Sequence, residues 1–247
     1  MNEIHDDAVV LRTYKSGESD RVVVLWTKEH GKMRAIAKGV RKQGSRLGGG
    51  LEPLAYVEMN MARGRGNLNI VRQVLHRERF TNLRSSYERI VAGMAMVEVV
   101  DAIPLDDVAD EDIFTMLVRA LATLDDLQYQ PALVPASFFF KIMVHDGSEP
   151  VLDSCVSCGR EGPLVSFDAE VGGTLCASCR SGRALSPDAL ELLRRILGGD
   201  LAKVLRETSP AGSFEVITLA QETIEQHLGK RLKVARSSPP LLSLIHI

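Results

Sequence analysis

The sequence predicts an α+β protein in which a small N-terminal β-barrel precedes a helical domain that carries an inserted cysteine-rich element. Within the first 80 of its 247 residues, apolar and polar residues alternate over short segments, which is typical of strands. From Thr81 onward the apolar residues recur at helical spacing instead. All four cysteines lie between residues 155 and 179 as two Cys-x-x-Cys pairs, which indicates a metal-binding element.

Five segments near the N-terminus predict β-strands because they are short, rich in Val, Ile and Met, and separated by turns that contain Gly, Ser or Asn. The predicted strands cover residues 8–14, 21–27, 32–38, 54–62 and 68–75. Five strands in so short a stretch are typical of a small closed barrel, which leaves no sheet edge exposed. We therefore predict a five-stranded OB-fold over residues 1–80, with an SH3-like barrel as the alternative.

Residues 81–236 are predicted to form the helical domain. Apolar residues at helical spacing predict helices over residues 87–100, 113–124, 134–145 and 213–228. Ser186 followed by Pro187 predicts the start of another helix, since Ser caps helices and Pro fits the first turn. Residues 152–182 are predicted to be a cysteine-bearing loop region, and the apolar residues 237–247 form a tail of undetermined role.

Charge is distributed unevenly along the chain. The formal net charge is −2, yet residues 1–84 carry 16 Lys and Arg against 9 Asp and Glu, a net charge of +7. Residues 85–150 have a net charge of −9, and residues 151–247 have a net charge of zero. This asymmetry predicts that the N-terminal barrel binds a polyanion and that the acidic middle of the chain does not.

The most concentrated cations lie in a Gly-rich loop that follows the third predicted strand and contains no acidic residue before Glu52. Such charges stay in water, where they can contact successive phosphates of a nucleic-acid strand. A second Gly-rich turn, before the fifth strand, adds two arginines. The alternative is a flexible, solvated loop without a partner. The candidate nucleic-acid-binding residues are Arg34, Lys38, Arg41, Lys42, Arg46, Arg63 and Arg65.

Two aromatic residues of the predicted barrel, Trp26 and Tyr56, could stack on nucleic-acid bases. Trp26 alternates in phase with Val22 and Val24, however, so we expect its side chain to point into the core. The run Phe138–Phe140 is likewise interpreted as core rather than as a ligand site. The scattered histidines are interpreted as surface or core residues rather than as metal ligands.

The cysteine spacing is typical of a Cys₄ zinc site. Seventeen residues separate the pair Cys155 and Cys158 from the pair Cys176 and Cys179. Each pair forms a tight turn that directs two thiolates to one point, and four thiolates complete the tetrahedron that zinc prefers. Because no position is left for a water molecule, the predicted zinc is structural rather than catalytic. Two short-range disulfides and free thiols are the alternatives, although a reducing cytoplasm disfavours disulfides.

Other function classes are disfavoured by what the sequence lacks. No run of about 18 apolar residues predicts a membrane span, and the acidic N-terminus is unlike a secretory signal, so we expect a cytoplasmic protein. No phosphate-binding loop, nucleophile elbow or zinc-protease motif occurs, so we predict that the protein is not an enzyme. The acidic residues 106–112 could be read as a nuclease site, but they are typical of a helix N-terminus.

Short motifs along the whole chain resemble one known family, the bacterial RecO recombination mediators. The resemblance extends over about residues 4–236, and its N-terminal motifs are the specific part. The four-cysteine window and the ending His227-Leu228-Gly229 are similar to the C-terminal region of that family. The N-terminal motifs are Gly17-Glu18-Ser19-Asp20-Arg21, Gly31-Lys32, Ala37-Lys38-Gly39-Val40-Arg41-Lys42, Ser45-Arg46, Leu51-Glu52-Pro53 and Arg65.

The resemblance implies an N-terminal OB-fold, a helical C-terminal domain, and zinc in members with four cysteines. It also implies binding of single- and double-stranded DNA, annealing of complementary strands, and a location at the nucleoid. The implied partners are RecR, the acidic tail of single-stranded-DNA-binding protein and, indirectly, RecA, which the protein would help to load onto DNA. Candidate cations for the acidic tail are Arg194, Arg195, Lys203 and Arg206.

A different class of function competes with this interpretation. A regulatory zinc-ribbon protein would act through protein contacts, and its basic loop would bind RNA or an acidic protein. Salt-dependent binding of single-stranded DNA by the N-terminal module separates the two hypotheses.

Overall fold

The computed structural model describes residues 3–42, 45, 47, 50–64, 66, 68–104 and 108–234. The chain divides into two compact units, residues 1–125 and residues 126–247. The domain boundary predicted near residue 80 stays a prediction, because compactness does not measure independent folding. Arg46, Arg65 and the tail 237–247 lie outside the described residues. No helix in the described ranges is long and apolar enough to cross a membrane.

The first unit contains a closed five-stranded barrel, which confirms the predicted fold class. Neighbouring strands follow the order β1-β2-β3-β5-β4, and β4 pairs with β1 to close the barrel. The barrel encloses a core of small and medium apolar side chains that includes Val10, Val23, Leu25, Val57 and Met59. The strands are β1 (Glu3–Ser16), β2 (Asp20–Thr27), β3 (Gly31–Ala37), β4 (Tyr56–Ala62) and β5 (Asn69–Glu78).

Strand β1 begins five residues before its predicted start because it serves two partners. Residues 3–9 pair with β4, whereas residues 8–16 pair with β2. A β-bulge between Val10 and Arg12 lies where the strand changes partner. The early part of β1 depends on a strand that is about fifty residues away in sequence, so local alternation could not indicate it.

Three helices complete the first unit, and the central one is covered on two sides. They are α1 (Thr81–Ser85), α2 (Tyr87–Ala102) and α3 (Glu111–Asp125). Helix α2 lies between the barrel and α3: a Cβ added at Gly93 would stand 3.1 Å from Leu54 and 3.5 Å from Leu121. Glycine at this position therefore permits a close approach of both neighbours. Tyr87, the first residue of the predicted apolar stripe, is instead exposed.

A buried lysine attaches the end of α2 to the barrel. The Nζ atom of Lys32 donates to the carbonyl oxygens of Asp101 and Ile103, and it pairs with the Asp101 carboxylate at 3.1 Å. Arg12 contacts the other oxygen of that carboxylate at 2.6 Å. Cations near the last carbonyls of a helix satisfy acceptors that have no partner within the helix. Lys32 is therefore a structural residue rather than a surface cation.

The described part of the second unit, residues 126–234, contains four helices and a three-stranded sheet. Helix α4 packs against α7, and the side chains of Phe138, Phe139 and Phe140 are buried as expected. The cysteine region, predicted as loop, holds three short strands in the order β7-β6-β8. Strands this short carry too few alternating residues for detection from sequence. The elements are α4 (Leu133–His145), β6 (Leu164–Asp168), β7 (Gly173–Cys176), β8 (Arg183–Ala184), α5 (Pro187–Leu197), α6 (Leu201–Val204) and α7 (Ser213–His227).

Candidate nucleic-acid interface and metal centre

Residues 38–42, here called the basic turn, follow β3 and are held against the turn that joins β1 to β2. A carboxylate oxygen of Asp20 accepts the N–H of Gly39 at 2.8 Å. The N–H of Arg41 donates to the Ser19 carbonyl, and its guanidinium donates to the Glu18 carbonyl, both at 2.9 Å. The sequence predicts a flexible tip. The structure instead orders the basic turn, because these hydrogen bonds hold it to the turn between β1 and β2.

The electrostatics of the basic turn leave its cations facing water. The pKa of Asp20 is lowered, chiefly by the Gly39 N–H and also by the nearby charges of Lys38 and Lys42. Lys38, Arg41 and Lys42 are all exposed, and none forms an ion pair with a carboxylate among the described residues. Unpaired, exposed cations on an ordered turn suit phosphate contacts.

A cleft of about 580 Å³ brings together two further predicted residues, Arg34 and Arg63. It opens beside the seam where β3 and β5 pair in parallel through only two residues of each strand. Both arginines are exposed, and His30 and Asn69 also line the cleft. Arg34 lies within β3, and Lys38 is the first residue after the end of that strand at Ala37. The cleft and the basic turn are therefore neighbouring parts of one face of the barrel.

Sequence reasoning missed Tyr14, which lies on the same face. Its ring is half-buried, and the guanidinium carbons of Arg12 and Arg34 both lie 5.9 Å from its centroid. Arg34 also donates to the Tyr14 hydroxyl. The bulge after Val10 reverses the inward–outward alternation of β1, so Tyr14 points outward although Val10 points into the core. Arg12, two residues before Tyr14 on β1, was a signal available in the sequence, but the contribution of Arg34 from β3 needed the strand register.

The two aromatic residues singled out from sequence present no open ring. Trp26 is buried, which confirms the expectation that it is a core residue rather than an open stacking surface. It does not point into the barrel interior, however, because that interior takes Val23 and Leu25 from the opposite phase of β2. Helix α2 packs against the outside of the barrel. Tyr56 packs edge-on against Phe114 with ring centroids 5.9 Å apart, and its hydroxyl lies 3.4 Å from Asp7.

The four cysteines converge on one point in the second unit. The sulfur atoms of Cys155, Cys158, Cys176 and Cys179 all lie within 4.8 Å of one another. All four are free thiols, and the Sγ atoms of Cys158 and Cys176 are 3.8 Å apart. A zinc–sulfur bond of about 2.3 Å corresponds to sulfur–sulfur distances of about 3.8 Å in a regular tetrahedron. The cluster could therefore hold a metal ion, and its dimensions suit zinc.

Backbone hydrogen bonds build the two cysteine turns. In the first, the N–H of Gly159 donates to the Cys155 carbonyl at 2.8 Å, and Gly159 has a φ of 73°, which favours glycine. In the second, the N–H of Cys179 donates to the Cys176 carbonyl at 3.1 Å. The Thr174 hydroxyl joins the turns by donating to the carbonyls of Val151 and Ser154. Local turns and one hairpin are thus enough to assemble the cluster.

Hydrogen bonds within the cysteine cluster shift the pKa values of three of the thiols. The pKa of Cys155 is lowered to about 6, chiefly by a hydrogen bond from the backbone of Cys176. The pKa of Cys176 is lowered chiefly by the backbone of Cys179. The pKa of Cys179 is raised to about 11, chiefly by hydrogen bonding with Cys158. Backbone N–H groups thus favour thiolates at two positions, whereas four adjacent thiolates together need a cation.

The cations predicted to contact an acidic tail are mostly engaged within the second unit. Arg194 pairs with Asp153 at 2.9 Å, Arg195 contacts Glu207, and Lys203 pairs with Asp200 at 2.9 Å. Arg206 differs, because its guanidinium lies 5.1 Å from the ring centroid of Tyr129 and donates to its hydroxyl at 3.1 Å.

Comparison with known proteins places both parts of the chain in one family. A family model described as recombination protein O N terminal matches residues 1–79, and one described as recombination protein O C terminal matches residues 84–236. The protein named DNA repair protein RecO from Desulfitobacterium hafniense (strain DSM 10664 / DCB-2) is 33% identical over 243 residues, covering 94% of this chain and 88% of its own. Its namesake from Nocardioides sp. (strain ATCC BAA-499 / JS614) is 34% identical over 235 residues, covering 92% and 96%. The chain belongs to the RecO family of DNA repair proteins.

Proposed function

We propose that this protein is a non-enzymatic mediator of DNA repair and homologous recombination that binds single- and double-stranded DNA through its barrel. The chain belongs to a family of DNA repair proteins, and one face of its barrel carries a set of exposed cations. None of these cations forms an ion pair with a described carboxylate. This set is the observation that carries the proposal. These cations are Arg34, Lys38, Arg41, Lys42 and Arg63. Arg46 and Arg65 stay candidate DNA-binding residues from the sequence, and both lie outside the described residues.

Phosphate contacts explain the expected behaviour. Lysine and arginine on a turn offer charge and reach without base-edge geometry, so binding should tolerate any sequence. Each contact releases counterions, so binding should weaken steeply with salt. Complementary strands repel each other through their phosphates, and a cationic face that holds one strand lowers that repulsion for the second. Strand annealing therefore follows from the same surface.

We propose that Cys155, Cys158, Cys176 and Cys179 hold a structural zinc ion. The sulfur spacing supports this assignment, and so does a donor set of four thiols, which zinc binds tightly. When bound, zinc supplies a cross-link between the two cysteine turns and no reactive position. The chain's own contribution is to direct backbone N–H groups at Cys155 and Cys176.

The proposed partners are RecR and the acidic tail of single-stranded-DNA-binding protein, and the proposed outcome is RecA loading at the nucleoid. Family membership supports these partners. Of the four candidate cations for the tail, Arg206 is the one without an ion pair among the described residues, since Arg194, Arg195 and Lys203 each have a carboxylate partner. We therefore assign the tail contact to the surface around Arg206 and Tyr129.

Equilibrium binding of the full chain to single- and double-stranded oligonucleotides across a salt series tests the DNA-binding proposal. The triple variant Lys38→Ala, Arg41→Ala, Lys42→Ala should lower the log–log salt slope on single strands by about 2, since each lost contact removes roughly 0.7. Annealing of complementary oligonucleotides should slow with it. Folding should be preserved, because exposed turn charges contribute little to stability.

A charge-matched control removes three exposed cations outside the barrel, Arg119, Lys141 and Lys230. This control should leave the slope unchanged. Equal losses in both variants would show that net charge, rather than the barrel face, governs binding. Tighter binding of RNA than of DNA of the same sequence would favour the competing regulatory function.

A further inference from the structure

Tyr14 is the feature of the barrel face that phosphate binding does not use. Its ring lies on the outer face of β1, beside a shallow cavity of about 420 Å³ lined by Arg12, Val24 and Arg34 among others. Arg34 also lines the larger cleft that contains Arg63. The half-buried ring of Tyr14 thus lines the smaller cavity, and its neighbour Arg34 lines both.

The surroundings of Tyr14 differ from those of the other barrel aromatics. Trp26 is 3% exposed on the side of the barrel that α2 covers, and Tyr56 is packed against Phe114. No aromatic ring among the described residues packs against Tyr14. The guanidinium groups of Arg12 and Arg34 lie over its ring, each with its central carbon 5.9 Å from the ring centroid.

The two arginines beside Tyr14 are held in different ways. Arg12 is paired with Asp101 at 2.6 Å, so its position is set by the barrel–α2 contact. Arg34 has no carboxylate partner among the described residues, and the Tyr14 hydroxyl is its side-chain acceptor. Arg34 is therefore poised to contact a phosphate while Arg12 borders the ring. Charge flanking an aromatic surface is the arrangement by which proteins bind single strands without reading sequence.

We infer that Tyr14 stacks on one base of a bound single strand while Arg34 contacts an adjacent phosphate. The inference rests on the proposed DNA-binding function and refines it. Bases of a single strand can turn a free face to the protein, whereas bases of a duplex are stacked on both faces. Tyr14 consequently adds affinity for single strands and little for duplexes, which gives the barrel face a preference that its cations alone do not provide.

The test measures binding of the full chain to a fluorescent oligothymidine and to a duplex of equal length, each across a salt series. Tyr14→Leu removes the aromatic ring but keeps an apolar side chain. It should weaken single-strand binding about tenfold, leave duplex binding within twofold, and leave the salt slope unchanged, because no phosphate contact is lost. Tyr14→Phe, which keeps the ring, should restore most of the single-strand affinity.

Two further measurements separate stacking from structural effects. A single strand containing 2-aminopurine should lose fluorescence on binding the wild-type protein and less on binding the Tyr14→Leu variant, since stacking quenches that base. Tyr87→Leu alters an exposed tyrosine on α2 and is the matched control, which should bind like the wild type. Circular dichroism and thermal melting verify that each variant is folded.

The possible outcomes distinguish the two proposals. Equal losses in Tyr14→Phe and Tyr14→Leu would overturn stacking, because the hydroxyl and its hold on Arg34 would then account for the effect. Unchanged single-strand binding in Tyr14→Leu, with the basic-turn variant still impaired, would overturn stacking and leave the DNA-binding function standing. Failure of the wild-type protein to bind either DNA would overturn the proposed function itself.

Discussion

The cations of the basic turn in the barrel unit differ in their ion pairing from several cations of the helical unit. In the barrel unit, Lys38, Arg41 and Lys42 face water without an ion pair among the described residues. In the helical unit, Arg183 contacts Glu222, and Arg195 contacts Glu207. Paired surface cations contribute little to stability, but pairing does reduce their availability to a polyanion. The difference makes the basic turn the better candidate for phosphate binding, because its cations are clustered and have no carboxylate partner among the described residues.

The units also differ in how they are held together. The barrel encloses its own apolar core and attaches α2 to itself through Lys32. The cysteine-bearing sheet of the second unit has strands of five, four and two residues. Such short strands form few ladder hydrogen bonds, so a cross-linking metal contributes more to this sheet than to the barrel.

The largest effect is expected from substituting one of the proposed metal ligands, which should unfold part of the second unit and leave the barrel intact. Cys176→Ser should abolish stoichiometric zinc binding and unfold residues 152–182, because a three-thiolate site is open and weaker. Salt-dependent DNA binding by the barrel should persist. Elemental analysis and amide hydrogen exchange measure the two effects, and Ser178→Ala in the same turn is the control. Wild-type protein purified without chelator and containing well under one zinc per chain would contradict the assignment.

The next largest effect is expected at Lys32, which differs from the exposed cations of the barrel because it is buried. Lys32→Met should lower the free energy of unfolding by about 3 kcal/mol, because it leaves two carbonyls and the partly buried Asp101 carboxylate short of a partner. Its DNA salt slope should be unchanged. Denaturant titration measures the loss, and Lys28→Met, an exposed residue paired with Glu111, should change stability little. A changed salt slope with unchanged stability would make Lys32 a binding residue instead.

A smaller effect is expected within the helical unit. Arg206→Ala should weaken binding of the acidic tail peptide about tenfold, as the loss of one charge-assisted hydrogen bond predicts. Arg194→Ala should weaken it less than twofold, because Asp153 already neutralises that guanidinium. Calorimetry with the tail peptide compares them. A larger loss in Arg194→Ala would show that intramolecular pairing does not decide which cations bind the tail.

The smallest effect is the pH dependence of the basic turn. The pKa of Asp20 is below its ordinary value of 3.8, so this carboxylate stabilises the turn above that pH and the stabilisation is lost as pH falls through the lowered pKa. The amide resonance of Gly39 should therefore titrate with a midpoint below 3.8. A midpoint at or above 3.8 would mean that the bond to Gly39 does not favour the charged form.

Local patterns in the sequence predicted most elements and part of the candidate site. Alternation predicted five strands, and helical spacing predicted four of the longer helices, because both signals repeat within a few residues. The start of α5 was predicted instead from Ser186 and Pro187, which are a helix cap and a first-turn residue. The cysteines were identified by spacing alone, since each Cys-x-x-Cys turn is local and one hairpin joins the two. The basic turn was also visible, as a run of cations uninterrupted by acids up to Glu52.

The sequence by itself therefore determined the order of the longer elements, the candidate metal-ligand set and the charge of the barrel. Only the tertiary structure decided which way the side chains face. The bulge in β1 reverses the alternation and turns Tyr14 outward, and α2 buries Trp26 on the outer wall rather than inside the barrel. The tertiary structure also decided which cations are paired: it joins Lys32 to Asp101 and Arg195 to Glu207. The cations of the basic turn, in contrast, have no carboxylate within ion-pair distance among the described residues. Pairing and strand register depend on contacts between residues far apart in sequence, and no local period encodes them.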